Sequence, residues 1–117
     1  MKIGNLRDLV TFQRRGATDD GYGNVTSGDW ADIEIDDQPL TVWADMLERL
    51  GGEKLASGAQ EASRAATIRV RRTDAVLDVT SSDRIAARGE YWNIRSIATV
   101  GRKGEVLEFL CEAGGPT

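Results

Sequence analysis

Apolar residues recur mostly at every second position along this chain, in short runs closed by Gly, Asp or Asn, and that period predicts strands rather than helices. About six such runs stand out. Across 8–15, Val10 and Phe12 share a face, with Ile3 and Leu6 expected to pack nearby. Across 40–47, Val42, Ala44 and Met46 fall on one side and Trp43 and Leu47 on the other. Across 66–72, Ile68 and Val70 alternate with Arg69 and Arg71, because successive strand residues point to opposite faces. The runs 84–88, 91–100 and 105–112 are joined by Gly89-Glu90 and by Gly101-Arg102-Lys103-Gly104, both suited to hairpin turns, and read as a meander.

This pattern, without a long amphipathic helix, predicts an all-β fold: a small β-barrel of about six strands with long loops and at most one short helix. Closure into a barrel also limits exposed sheet edges. The expected core comprises Val10, Phe12, Val42, Trp43, Ile68, Val70, Trp92 and Ile94. Trp30 has no clear place in it.

Two segments do not fit such a core. Residues 16–39 are long, and the part from Asp19 to Asp37 holds seven acidic side chains (Asp19, Asp20, Asp29, Asp32, Glu34, Asp36, Asp37) and no basic one. This reads as an acidic, mostly solvated excursion. Residues 51–66 contain ten Gly, Ala or Ser in sixteen positions, with Leu55 the only large apolar side chain. Such a stretch cannot bury enough surface to hold itself against a core. An isolated helix of this length is marginal in water, so a flexible loop is expected.

Composition narrows the function. At 117 residues, with 40% hydrophobic and 29% charged, the chain suits one folded domain with no room for a separate catalytic one. A net charge of −4 argues against wrapping a nucleic acid, which needs many cations to displace counterions from phosphates. No run of ~20 apolar residues offers a membrane span, and the first residues lack the apolar stretch of a signal peptide, so synthesis in the cytoplasm is expected. The absence of histidine removes Ser-His and Cys-His catalysis and the usual zinc sites. The lone Cys111 ends a strand pattern and reads as a packed thiol. Asp19-Asp20 and Asp36-Asp37 are adjacent pairs that diverge in a strand and are solvated in a loop, which disfavours a metal site. No catalytic residue, cofactor or metal ligand is assigned, and an enzyme is not expected. Arg64, Arg69, Arg71 and Arg72 form the one basic cluster. It is either a solvated strand face or a surface that meets Asp19, Asp20, Asp36 and Asp37 of a neighbouring copy.

Taken in order, several motifs resemble the phage head-tail joining family, also called head closure or stopper proteins. They are Ile3-Gly4-Asn5-Leu6-Arg7, Val10-Thr11-Phe12-Gln13-Arg14-Arg15, the Asp20-Gly21-Tyr22-Gly23 turn, Thr41-Val42-Trp43-Ala44-Asp45-Met46, Leu50-Gly51-Gly52-Glu53, Ile68-Arg69-Val70-Arg71, Asp83-Arg84-Ile85, Tyr91-Trp92-Asn93-Ile94-Arg95-Ser96-Ile97 and Leu107-Glu108-Phe109-Leu110-Cys111. Residues 27–38 depart from the family in being longer and more acidic. The resemblance implies a β-barrel subunit of a ring, made in the host cytoplasm and located in the virion at the head-tail interface of a phage or gene transfer agent. Its implied partners are further copies of itself, a portal adaptor on the head side, a tail terminator or tail tube protein, and DNA passing without sequence-specific binding. It also implies that the loop at 51–66 (Gly51, Gly52, Glu53, Lys54, Leu55, Gly58, Gln60 and Glu61) projects into the DNA channel. A tail-end or baseplate adaptor and a small soluble binding module are the competing expectations.

Overall fold

The computed structural model describes residues 6–19, 25–50 and 64–113. In chain order the elements are β1 (Asp8–Asp19), β2 (Val25–Asp32), β3 (Glu34–Ile35), β4 (Gln38–Pro39), β5 (Thr41–Leu50), β6 (Arg64–Arg71), the short helix α1 (Asp74–Leu77), β7 (Arg84–Ala87), β8 (Glu90–Val100) and β9 (Val106–Ala113). The six apolar runs of the sequence become β1, β5, β6, β7, β8 and β9. These close a six-stranded antiparallel barrel in the order β1-β5-β6-β9-β8-β7, with β7 pairing back onto β1 through Phe12 opposite Ile85.

Closure follows from which side of each ladder is apolar. Val10 and Phe12 on β1, Ala44 and Met46 on β5, Ile68 and Val70 on β6, Ile85 on β7, Trp92 and Ile94 on β8, and Leu107, Phe109 and Cys111 on β9 all turn inward and are buried. Phe12 and Phe109 meet across the interior with ring centroids 5.3 Å apart, tilted by 54°. The Trp92 indole N–H, which would be orphaned in this apolar setting, donates to the Ala87 carbonyl at 3.3 Å.

Each end of the barrel is finished differently. The β7–β8 turn places Arg88 at φ 52° and Gly89 at φ 75°, the left-handed pair that a two-residue hairpin requires. At the opposite end, the Thr73 hydroxyl caps α1 by accepting from Val76 N at 3.3 Å. The cap fixes the turn that lays Val76 and Val79 over the core.

Two expectations change. Trp43, placed in the core from its strand pattern, stands on the outer wall and is 56% exposed. Its neighbours Ala44 and Met46 occupy the inward positions, and a period of two forces the residue between Val42 and Ala44 to the other side. The second change concerns 16–39. Its side chains from 34 to 39 are exposed, but the backbone is ordered: β2 pairs with the far half of β1 from Gln13 opposite Asp32 to Asp19 opposite Val25. β3 and β4 form a tight hairpin through Asp36 and Asp37, at φ 52° and 63°. Hydrogen bonds from Ile33 N to Phe12 O (2.9 Å) and Phe12 N to Leu40 O (3.1 Å) stitch this hairpin to β1. A solvated face does not prevent strand formation when the other requirement, a partner ladder, is met.

Candidate functional site

The strand ladders bring chemistry-bearing side chains together in four places. One barrel mouth lies where β5 ends at Leu50 and β6 begins at Arg64. There Asp8, Glu48, Arg64, Arg88 and Glu90 form a continuous chain of alternating charge. Arg88 binds Asp8 through two hydrogen bonds of 2.9 Å, Glu48 at 2.6 Å and the Met46 carbonyl at 3.2 Å. Arg64 joins Glu48 to Glu90, the latter at 2.6 Å, and its guanidinium lies 5.3 Å from the Trp92 ring centroid. The left-handed backbone at Arg88, where glycine would be easier, is held by these side-chain bonds.

This network has a pH signature. Hydrogen bonds from Arg88 hold the Asp8 carboxyl below its ordinary value, and hydrogen bonds from Arg64 and then Arg88 do the same for Glu48. A carboxyl whose folded pKa is depressed stabilises the fold while ionised. The contribution is complete above its unfolded pKa of ~4 and is lost as the pH falls through the lower folded value. Melting temperature is therefore expected to fall on acidification below about pH 4.5, and Arg88→Gln should flatten that slope. Identical slopes for the two proteins would contradict the linkage.

At the other mouth, the buried Asp83 accepts from Arg14 Nε and Nη2, each at 3.0 Å, and from Thr80 N at 2.8 Å. The third place is a stack on the outside, where β2 crosses the barrel. Arg84, nearly buried, lies between the Trp30 ring at 4.4 Å and the Tyr91 ring at 3.8 Å, and Arg15 covers Trp30 at 4.9 Å. Arg84 Nε donates to Gln13 Oε1 at 2.8 Å. Burial pulls the Arg84 pKa down, so aromatic faces substitute here for a carboxylate. The sequence left Trp30 without a place; its only signal was one aromatic in an acidic stretch.

The fourth place is the outer wall of β1 and β5. Leu9 and Trp43 face each other directly in the ladder, and Leu47 follows on the same side of β5. They are 53%, 56% and 57% exposed. On the diametrically opposite seam, β9 and β8 expose Leu110, with Ser96 across from it. The alternation had placed Trp43 and Leu47 on the face opposite Ala44 and Met46, without deciding which of the two faces is the outer one.

The predicted site residues are distributed as follows. Arg64 is engaged with Glu48 and Glu90, and Arg69 with Glu108 at 2.8 Å. Arg71 and Arg72 are exposed, and Arg72 Nη1 reaches the Gly104 carbonyl at 3.3 Å. Asp36 and Asp37 form the exposed β3–β4 turn, while Asp19 ends β1. Among the described residues, Asp36 and Asp37 of the acidic set form no ion pair with Arg64, Arg69, Arg71 or Arg72 within one subunit. Val10, Phe12, Ile68, Val70, Trp92 and Ile94 are buried and Val42 is partly so. Asp20 and the loop residues Gly51, Gly52, Glu53, Lys54, Leu55, Gly58, Gln60 and Glu61 lie outside the described residues. Burial pushes the Cys111 thiol up to about 12, leaving it protonated at neutral pH. Among the described residues no group of acidic or cysteine side chains is disposed to hold a metal ion.

The sequence profile of the phage head completion protein family matches residues 1–114. No curated protein sequence matches the chain. Among solved structures, the chain is similar to protein SF1141 from Shigella flexneri 2a, with a TM-score of 0.66 and 27% identity over 100% of both chains. It is also similar to a chain in the virion of a native gene transfer agent particle, with a TM-score of 0.62 and 21% identity, covering 92% of this chain and 94% of that one.

Proposed function

This chain belongs to the phage head completion protein family, and from that premise we propose that it is a connector subunit joining head to tail. In this reading several copies form a ring between the portal or its adaptor and the tail terminator or tail tube. The ring closes the DNA-filled head and forms part of the channel through which DNA leaves. The observation that carries the reading is the family match over residues 1–114. It supports a structural component of the virion rather than a catalyst.

The physical features agree with such a role. A closed barrel with a packed interior is a rigid block for assembly, and its interior leaves DNA to pass beside the subunit, not through it. A net charge of −4 suits a conduit that does not grip phosphates. Leu50 and Arg64, the described residues on either side of 51–63, stand at the mouth that holds the Arg64 and Arg88 network, and Arg64, Ala65 and Ala66 of the expected loop belong to β6; we assign the channel lining to that side of the subunit.

The test is electron microscopy of particles produced without this gene. Separate DNA-containing or emptied heads together with complete free tails are expected. Normally joined particles would discard the connector reading. Intact heads with malformed tails would transfer the protein to a tail-end or baseplate adaptor.

A further inference from the structure

Among the described residues, Arg14, Arg64, Arg69, Arg88 and Arg95 each lie against a carboxylate. Arg84 is the one buried arginine of that set of residues, and it meets none. Its Nε donates to the neutral Gln13 Oε1 at 2.8 Å, while Gln13 Nε2 holds the Asp32 carboxylate at 2.8 Å. Burial above all, and to a smaller extent the like charge of Arg15, draw the Arg84 pKa down. A buried charge without a counter-charge is costly, and an anion brought by a partner offsets that cost.

A second observation falls on the same spot. Arg15 Nε and Trp30 Nε1 are both buried, and neither N–H has a hydrogen-bond acceptor. Arg15 and Trp30 face each other in the β1–β2 ladder, the last pair before its register shifts between Arg15 and Ala17. The Trp30 and Tyr91 rings offset part of the charge on the two guanidiniums, but they leave these two donors without an oxygen, and a buried donor left unmet costs its full desolvation. The stack is open to solvent at its ends, because Tyr91 is 50% exposed and Arg15 is partly exposed. Arg15 lies over Trp30 in a ring contact at 4.9 Å that an incoming anion can replace.

We propose that the stack of Arg15, Trp30, Arg84 and Tyr91 is a receptor site for a single carboxylate carried by an acidic side chain of a partner protein. The carboxylate enters at the open edge, Arg15 tilts away from the indole to meet it, and the Arg15 and Trp30 N–H groups gain the acceptor they lack. A planar anion with two oxygens matches a guanidinium fork and fits among flat groups. The surroundings select its source. Asp29 is exposed next to Trp30 on β2, and the hairpin that follows exposes Glu34, Asp36 and Asp37. A nucleic-acid strand brings a train of phosphates against that acidic border, whereas one carboxylate on a protein side chain does not. The site stands on its own geometry and does not need the ring reading.

The test is a titration of the isotope-labelled full chain, followed by nuclear magnetic resonance through its tryptophan indole N–H signals, with Trp30 assigned by its loss in Trp30→Phe. The probes are a short blocked peptide with one central glutamate, the same peptide with glutamine in its place, and inorganic phosphate. The glutamate peptide should move the Trp30 signal downfield to saturation, and the glutamine peptide should not. The Trp92 signal should stay in place, since that N–H already donates to the Ala87 carbonyl. Arg15→Gln, checked for an unchanged thermal melt, should weaken the affinity at least ~10-fold, with Arg15→Lys in between because it keeps the charge without the fork. No saturable shift, or equal shifts from the two peptides, would overturn the site. Tighter saturation by phosphate would overturn the carboxylate assignment, and unchanged affinity in Arg15→Gln would overturn the proposal as written. All of these readings come from the free chain and leave the connector reading to its own test.

Discussion

Truncation of Trp92 to alanine should cost ~3–5 kcal/mol of stability, the range seen when a large aromatic is deleted from a packed core. The indole is fully buried, faces Ile85 in the β7–β8 ladder, and uses its one polar atom to satisfy the Ala87 carbonyl. It also lies beneath the Arg64 guanidinium. Its removal empties the region where β7, β8 and the mouth network meet. Because small domains hold only ~5–15 kcal/mol in total, this loss is a large share of the stability. Urea melts followed by circular dichroism measure the loss directly. Trp43→Ala provides the internal comparison: the same residue type on a barrel strand, but on the outer wall, where removal should change stability by no more than ~0.5 kcal/mol. Similar losses for the two variants would mean that the inside and outside of β5 and β8 are wrongly assigned.

Asp83→Ala should be the most damaging substitution of a charged residue, at ~2–4 kcal/mol. Asp83 is 3% exposed and accepts four hydrogen bonds, two from Arg14 on β1, one from Thr80 N and a longer one from the Thr80 hydroxyl at 3.5 Å. Alanine leaves Thr80 N without its acceptor and strips Arg14 of its best partner, although Arg14 is partly solvated and keeps a hydrogen bond to the Asp78 carbonyl at 3.0 Å. That residual solvation places the estimate below the figure for a fully buried pair. Asp83→Asn, which retains one acceptor oxygen for Thr80 N, should cost about half as much. Equal losses would show that the charge on Arg14, not the backbone bond, carries the effect. Hydrogen exchange at Thr80 should accelerate in the alanine variant before global unfolding, since Thr80 N loses its acceptor while the turn keeps the bond from Asp83 N to the Thr80 carbonyl at 3.0 Å.

The strands of the barrel were legible because an apolar face every second residue is a local property of the chain. Ile68 and Val70 between Arg69 and Arg71 need no knowledge of the rest of the fold to announce a half-buried strand. The hairpin between β7 and β8 was legible from its glycine, although the two turn residues are Arg88-Gly89 and not the expected Gly89-Glu90, which shifts the turn by one residue. The strand β2 was not legible. Its mostly polar sequence shows no alternation, and it exists because the far half of β1 offers a ladder and because Trp30 finds the guanidiniums of Arg15 and Arg84, which come from two other strands. The charge partners were equally hidden. Arg64 and Arg69 looked like a free basic face, yet Glu48, Glu90 and Glu108 reach them only once β5, β6, β8 and β9 are brought side by side.

The sequence by itself determined the all-β class, the six barrel strands with the side chains that alternate on each, and a family resemblance that the profile match bears out. Tertiary structure alone decided which of the two faces of β5 is inside, sending Trp43 out and Ala44 in. It also decided which charges neutralise one another within the subunit, and which apolar side chains remain exposed. The division follows from range. Backbone period and turn geometry are written in residues one or two apart, whereas inside, outside and opposite are relations between strands distant in the chain, created only when the sheet closes.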